Sequence, residues 1–437
     1  MNSSKLKRVD RIKIQLFKIF SLDLRSLALL RISLVFVIMF DLIIRFFKIE
    51  AYYSDAGTLP RTELIDRLPA EYWSVHLFNG TVFAQQLLFC LALLCACLLL
   101  IGYRTTLASL GCWIMLVSLH NRNPTLVSSG DDLLRIVLFW SMFLPLGAVY
   151  SGDRALNTSS KPIPSSVYSG ATVGLVLLLG AIYLWQISTT ETAVAFWSCL
   201  GWGLILIPWR NSWWRGVAIT LSFVLLLSQG ITTASAVLIC VWLALLPSQF
   251  WQFLSRKSSN KAARGLTINY DKDCGFCKKV VYLLRTALIL PQTKILEAQD
   301  NPDVCADMER YNSWVVEDYR GDRYFKWYGI AYVVSLSPVL WWLAPILRIK
   351  PLMLLGNKVY ETIANNRRLM GNFTKPFVFR PLTISSSILL NTLSALFIAL
   401  IVLGNWQALI SHDSDRPNSI LDNALQFTRL DLPENIF

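Results

Sequence analysis

The sequence predicts a polytopic α-helical membrane bundle followed by a small cytoplasmic α/β domain. Composition predicts the first part: of 437 residues, 54% are hydrophobic and only 16% charged, against about 25% charged in soluble domains. The distribution of charge predicts the second. Residues 27–263 carry 25 charges in 237 positions, while residues 264–373 carry 26 in 110, so the two stretches suit different solvents. The net charge of +13 would otherwise suggest a nucleic-acid partner. Its basic residues are spread over short loops between apolar runs, which argues for a lipid bilayer as partner and against nucleic acid.

The chain opens on a basic segment, residues 1–26, in which Arg11, Lys13 and Lys18 alternate with Ile12, Leu16, Phe17 and Phe20. It reads either as an interfacial helix held by apolar burial and anionic headgroups or as a solvated basic arm. Eight apolar runs follow, at about 27–47, 81–101, 105–120, 133–150, 170–187, 192–208, 214–228 and 231–249. A hydrocarbon core about 30 Å thick needs about 20 helical residues, so the third and seventh are short and are alternatively re-entrant. The first run is too long for a signal-peptide core and lacks a small-residue cleavage pattern, so it is expected to stay as a span. A ninth candidate span, 387–404, precedes an acidic tail, 405–437. With the N-terminus inside, the inner segments hold 16 Lys and Arg and the outer loops four, Lys48, Arg61, Arg67 and Arg122. That asymmetry places residues 264–373 in the cytoplasm.

Charges inside spans are expensive and usually face a partner in the bundle interior. Arg31, Asp41 and Arg45 lie in the first run, the latter two at i,i+4; Asp131 and Arg135 open the fourth at the same spacing and are expected to pair. His120-Asn121-Arg122-Asn123-Pro124 sits at the outer edge between runs three and four. It reads either as a hydrogen-bonded turn or as part of a polar site built from Arg31, His120, Arg122, Asp131 and Arg135.

At Ser118-Leu119-His120-Asn121-Arg122-Asn123-Pro124 and Gly130-Asp131-Asp132-Leu133-Leu134-Arg135 the chain resembles the HTTM domain related to vitamin K-dependent gamma-carboxylase. Leu29-Leu30-Arg31, Tyr53-Ser54-Asp55, Leu59-Pro60-Arg61 and Leu245-Leu246-Pro247 support the resemblance, which covers residues 22–253. The carboxylase uses a membrane-embedded lysine base, and burial makes a lysine a good one by lowering its pKa. Here no Lys occurs between Lys48 and Lys161, which leaves His120 as the titratable substitute near neutral pH within the resembling strings and argues against gamma-carboxylation. Binding of a quinone or another lipid ligand is the expectation that survives.

After Arg264 the pattern becomes a short strand, Leu266-Thr267-Ile268-Asn269-Tyr270, then Asp271-Lys272-Asp273-Cys274-Gly275-Phe276-Cys277, then a helical stretch over 278–289. A CxxC between a strand and a helix is a redox signal. Cys274 would cap the helix, where free amides and the macrodipole favour a thiolate and can lower its pKa from about 8.5 to about 7 or less. Cys277, one turn on, would resolve the mixed disulfide. Asp271 and Asp273 oppose that effect as neighbouring negative charges, or Asp273 serves as proton acceptor for a buried thiol. Zinc needs about four ligands, but residues 264–373 add only Cys305 and contain no His, so no metal is expected. Paired phosphatase aspartates and two inert structural cysteines are the other readings. The apolar string Val339 to Leu347 is expected in the domain core rather than on the bilayer.

The stretch from Tyr270 to Cys277 resembles the DCC family of predicted thiol-disulfide oxidoreductases over residues 264–373, with a strand at 294–297, a hairpin at 314–327 and Asn366-Arg367 near the end. The resemblance implies a thioredoxin-like fold with Cys274 and Cys277 as the catalytic pair, and Asp271 and Asp273 as motif partners of unassigned chemistry. No proline stands directly before the third strand, which argues against a general protein-disulfide substrate. The remaining seven cysteines lie mostly in apolar runs and behave as small hydrophobes; a cytoplasmic Cys274–Cys277 disulfide would be transient. The sequence thus predicts a membrane-anchored thiol-disulfide oxidoreductase with an unknown redox partner. Its alternatives are a quinone- or lipid-binding bundle with the small domain as accessory, and a noncatalytic membrane assembly factor.

Overall fold

The computed structural model describes residues 3–66, 73–190, 193–207, 213–228, 230, 232–258, 261–384 and 388–410. Two compact units divide the chain: Met1–Leu146 with Ile163–Phe250 and Ile384–Phe437, and Gly147–Pro162 with Trp251–Thr383.

The first unit is helical. After α1 (Ser3–Phe20), Asp23 caps α2 (Leu24–Phe46), its carboxylate accepting from the amide of Arg25 at 2.9 Å. The hydroxyl of Thr81 caps α3 (Val82–Ile101), which ends on Gly102 at φ +74°. That left-handed residue lets its own N–H reach back to Leu98 and Leu99, as a helix C-terminus requires. Next come α4 (Thr105–Arg122) and α5 (Ser129–Ser141), the latter opened by a capping box in which Ser128 and Asp131 satisfy each other's amides. Then follow α6 (Gly170–Thr190), α7 (Ala193–Leu206), α8 (Trp213–Ser228), α9 (Thr233–Ala244) and α10 (Ser248–Ser258), which belongs to this unit only up to Phe250.

Helix α2 packs against α3 and α9, and α5 against α4 and α9. Leu27, Leu30, Leu34, Ile38 and Leu42 form its buried stripe, at helical spacing. The opposite face holds Phe36 and Phe40, 60% and 68% exposed, with Ile43 and Ile44. Helix α3 likewise buries Phe89 and Ala96 and exposes Phe83, Leu87, Leu91 and Leu94. Among the described residues, α2 and α3 are long and apolar enough to cross a membrane, and α9 with the start of α10 makes a third if counted as one bent span.

Two expected runs depart from single straight spans. The fourth, 133–150, is helical only to Ser141, because Pro145 and Gly147 close the run with turns. The eighth, 231–249, breaks before Pro247 and bends by 77°. In the ninth region the helix (Ile388–Ile410) continues past 404; the rest of the expected acidic tail, 411–437, lies outside the described residues, as do Arg67 and Arg210 among the counted basic loops.

The second unit carries a four-stranded sheet. Along the chain run β1 (Thr267–Tyr270), α11 (Gly275–Ala287), β2 (Lys294–Glu297), α12 (Pro302–Tyr311), β3 (Val315–Glu317), β4 (Arg323–Phe325), α13 (Lys326–Ser335), α14 (Lys350–Asn365) and α15 (Arg367–Phe373). The spatial order is β2-β1-β3-β4. β1 and β2 are parallel, Tyr270 opposite Glu297, whereas β3 runs antiparallel to both β1 and β4. The β3–β4 turn needs Gly321 at φ +93°, while the Asp318 carboxylate accepts from the amides of Arg320 and Asp322.

Leu266, Ile268 and Tyr270 alternate onto one sheet face and pack with Val281, Leu288, Val316 and Val333; each such side chain contributes about 1.5–3 kcal/mol by burial. Ala298, Val304, Met308 and Val315 form a smaller core. Of the string expected to be internal, Ala344 is buried and Leu340, Leu343 and Leu347 lean on the core, but Val339, Trp341, Trp342 and Ile346 are exposed. A short 3-10 turn and a four-residue helix make up that stretch, so only one side can face inward. Residues 147–162 belong to this unit through Asp153, buried and paired with Arg380 at 2.6 Å, and through the amide of Arg380 on the carbonyl of Leu156.

Tyr270 donates to Glu297 at 3.3 Å, and burial together with that carboxylate pushes its hydroxyl up to about 12. Burial and the Asp318 carboxylate push Tyr332 up to about 12 as well. Unfolded tyrosine titrates near about 10. The folded state therefore favours the neutral phenols, and their contribution is full below about pH 10 and lost as pH rises towards about 12. In an alkaline titration these two phenolates are expected to appear together with unfolding of the sheet. Ionisation of all tyrosines near pH 10 without structural loss would contradict this.

Candidate active site

The CxxC lies at the carboxyl end of β1, where open α/β sheets place their ligands. Cys274 is the N-cap of α11, and its sulfur accepts from the amide of Cys277 at 3.2 Å. Cys274 and Cys277 are joined as a disulfide, their Cα atoms 5.2 Å apart, and both are partly accessible. A sulfur in this position meets the unpaired amides of a first helical turn, and the same donors would stabilise a thiolate after reduction.

The two acids divide. Asp273 is exposed, so water screens its charge from the sulfurs. Asp271 is held: its Oδ1 accepts from Gln299 at 2.9 Å and from the Asp273 amide at 3.1 Å, and Arg367 stands 3.5 Å from its Oδ2. Gln299 in turn accepts from the amide of Lys272 at 3.1 Å. Asp271 thus braces the loop that carries the cysteines, and Arg367 neutralises it. Gln299 was not foreseen in the sequence, although the parallel register of β1 and β2 brings the residues that follow each strand to the same sheet end. Asp271→Ala is expected to lower disulfide-exchange rate about tenfold, equivalent to about 1.4 kcal/mol of barrier, while the pair can still be reduced. A rate equal to that of the unaltered protein would remove this bracing role.

Beside Cys277 opens a cavity of about 140 Å³, lined by Phe276, Val280, Met308, Trp314, Ile330 and Ile363, with Asp271 and Arg367 also at its wall. The buried indole nitrogen of Trp314 has no hydrogen-bond partner among the described residues.

Comparison with known proteins bears on this segment alone. Residues 268–372 match the DCC1-like thiol-disulfide oxidoreductase family. The matched segment begins inside β1 and ends in α15, so it contains the dithiol, its bracing residues and the cavity. No curated protein and no solved structure gives a match. The DCC1-like segment supports a thiol-disulfide oxidoreductase function.

In the helical unit, Arg31, His120, Arg122, Asp131 and Arg135 are all buried, but they do not converge on one site. Arg31 donates to the carbonyl of Leu146 at 2.9 Å. Arg122 donates to the carbonyls of Leu59 and Ser54, at 2.9 and 3.1 Å, while Asn121 and Asn123 tie down Trp73 and Tyr52. His120, Asp131 and Arg135 do gather, with Asp41 and Arg45. The Asp41–Arg45 pair forms at 2.7 Å.

The expected Asp131–Arg135 pair does not form. Asp131 turns one oxygen to its capping box and offers the other to Arg45 at 2.9 Å, whereas Arg135 pairs with Asp132 and lies 3.0 Å from His120 Nδ1. Because a guanidinium only donates, Nδ1 accepts and the ring proton sits on Nε2, 3.7 Å from Asp131. Asp41, His120 and Asp131 bring ligand atoms within 4.8 Å of one another. Both carboxylates are already turned to Arg45, whose charge stands where a cation would.

Proposed function

We propose that the protein is a membrane-anchored thiol-disulfide oxidoreductase, in which Cys274 and Cys277 exchange a disulfide with a partner on the cytoplasmic side. The observation that carries the reading is the sulfur of Cys274 at the first turn of α11, receiving the amide of Cys277. In the reduced pair, the Cys274 thiolate attacks one sulfur of a partner disulfide and expels the other as a thiol. Cys277 then gives up its proton and attacks the Cys274 sulfur, releasing the second partner thiol. Two electrons and two protons pass to the partner, and the intramolecular disulfide results. The reverse sequence oxidises a partner dithiol. The sheet order with an antiparallel β3–β4 pair, and the dithiol after β1, support a thioredoxin-like fold.

The membrane part rests on the outward apolar faces of α2 and α3, since a helix in water would place polar groups there. The excess of inner Lys and Arg supports a cytoplasmic N-terminus and redox domain. Cys277→Ser tests the exchange reading: it is expected to accumulate a mixed disulfide between Cys274 and the partner, recoverable after an acid quench. Failure to form any mixed disulfide, together with a Cys274 unreactive to alkylation at pH 7, would instead favour the noncatalytic assembly factor.

A second reading attaches to the helical unit, where His120 stands between Arg135 and Asp131. A neutral imidazole flanked by a donor and an acceptor suits proton exchange with a bound quinone or other lipid, in line with the HTTM resemblance. A stoichiometric isoprenoid in the purified protein, lost in His120→Ala, is its expected signature; its absence from both proteins would dismiss it.

A further inference from the structure

The cavity beside the dithiol narrows the partner's chemistry. We infer that the redox partner is a small dithiol or disulfide with an apolar arm, which the cavity between α11, α12, α13, α14 and α15 receives beside Cys277. This rests on the exchange reading above and adds a substrate class to it.

Three observations carry it. The cavity holds about 140 Å³ and its wall is apolar except at Asp271, Tyr360 and Arg367. A dry site of that size takes one small ring or short aliphatic chain. Trp314 lines this wall, and its buried indole N–H lacks an acceptor among the described residues, a donor whose unmade bond is costly. The main chain at this wall is closed to an extended peptide. The amide of Trp314 donates to the Tyr360 hydroxyl at 3.3 Å, and its carbonyl accepts from Ser313 Oγ at 2.8 Å. A peptide strand pairing with that loop would find both groups taken.

The disulfide form present in the structure makes reduction the convenient direction to measure. Dihydrolipoamide serves as probe, with an aliphatic arm and an amide carbonyl. One of its thiolates attacks the Cys274–Cys277 disulfide and opens it into a mixed disulfide; its second thiol then closes the dithiolane ring and releases the protein dithiol. The probe loses two electrons and two protons, and the cysteines gain them.

The full-length protein, purified in detergent, would be reduced by dihydrolipoamide and by dithiothreitol, and the state of the Cys274–Cys277 pair read by mass spectrometry after acid quench and alkylation. Both rates are divided by those for 2-hydroxyethyl disulfide in the same micelles. The normalised rate is expected to favour dihydrolipoamide about tenfold, as burial of about two methylenes implies. Ala364→Phe, which fills the cavity from α14, is expected to bring the ratio close to one. An excess of octanamide, which has the arm without the sulfurs, is expected to slow dihydrolipoamide in the unaltered protein. Equal normalised rates would overturn the inference while leaving exchange intact. So would a preference that survives both Ala364→Phe and octanamide, or an equal advantage for a cysteine peptide flanked by leucines. Failure of every thiol to reduce the pair faster than 2-hydroxyethyl disulfide would instead overturn the exchange reading itself.

Discussion

Cys274→Ser is expected to abolish exchange altogether, lowering the rate to that of the buffer. The position has no substitute: the sulfur of Cys274 accepts the helix amide, and Cys277 N is the donor. A serine hydroxyl would keep the cap, because oxygen is a preferred N-cap acceptor, and so the variant should fold and keep its melting behaviour. Loss of exchange without loss of stability separates chemistry from packing. The measurement is the rate of partner disulfide reduction by the purified protein, set beside its thermal unfolding. Exchange at the unaltered rate would end the assignment of Cys274 as the attacking sulfur.

Arg45→Ala is expected to produce the largest stability loss in the helical unit. Arg45 reaches Asp41 at 2.7 Å, Asp131 at 2.9 Å and the Tyr53 hydroxyl at 3.0 Å. Removing it leaves two carboxylates facing each other in a buried place, and breaking a buried pair in this way typically destabilises by about 3–5 kcal/mol. The double variant Arg45→Met with Asp131→Asn should recover a large part of the loss, because it withdraws one of the stranded charges. The fraction of protein that remains monodisperse after heating in detergent reports the effect. A single variant as heat-resistant as the unaltered chain would show that water or lipid headgroups already solvate these carboxylates.

Much of the redox unit was legible because its signals are local. A β-rich pentapeptide, a CxxC and a helical run lie within about 25 consecutive residues, and the structure places β1, the Cys274 cap and α11 there. The Asp41–Arg45 pair was legible for the same reason, one helical turn separating its members. The partner of Asp131 was not. Spacing alone offered Arg135, but the capping box of α5 turns the carboxylate towards the helix start, and the guanidinium that meets it comes from α2, 86 residues earlier. The same holds for the cavity, whose wall is assembled from five separate elements. The exposure of Trp341 and Trp342 was hidden as well, since an apolar string without a helical or alternating period does not say which of its residues turn inward.

The discontinuity of the second unit bears on how the chain matures. Residues 147–162 emerge from the ribosome about 105 positions before β1 begins, with Asp153 waiting for Arg380. Until Arg380 is synthesised, the Asp153–Arg380 pair cannot form, and the short Gly152–Ala155 helix has no sheet domain to rest on. Assembly of the thiol-bearing unit is therefore a late event in biogenesis. A nascent chain stalled before residue 380 should present its cysteines to alkylating reagents more readily than the finished protein.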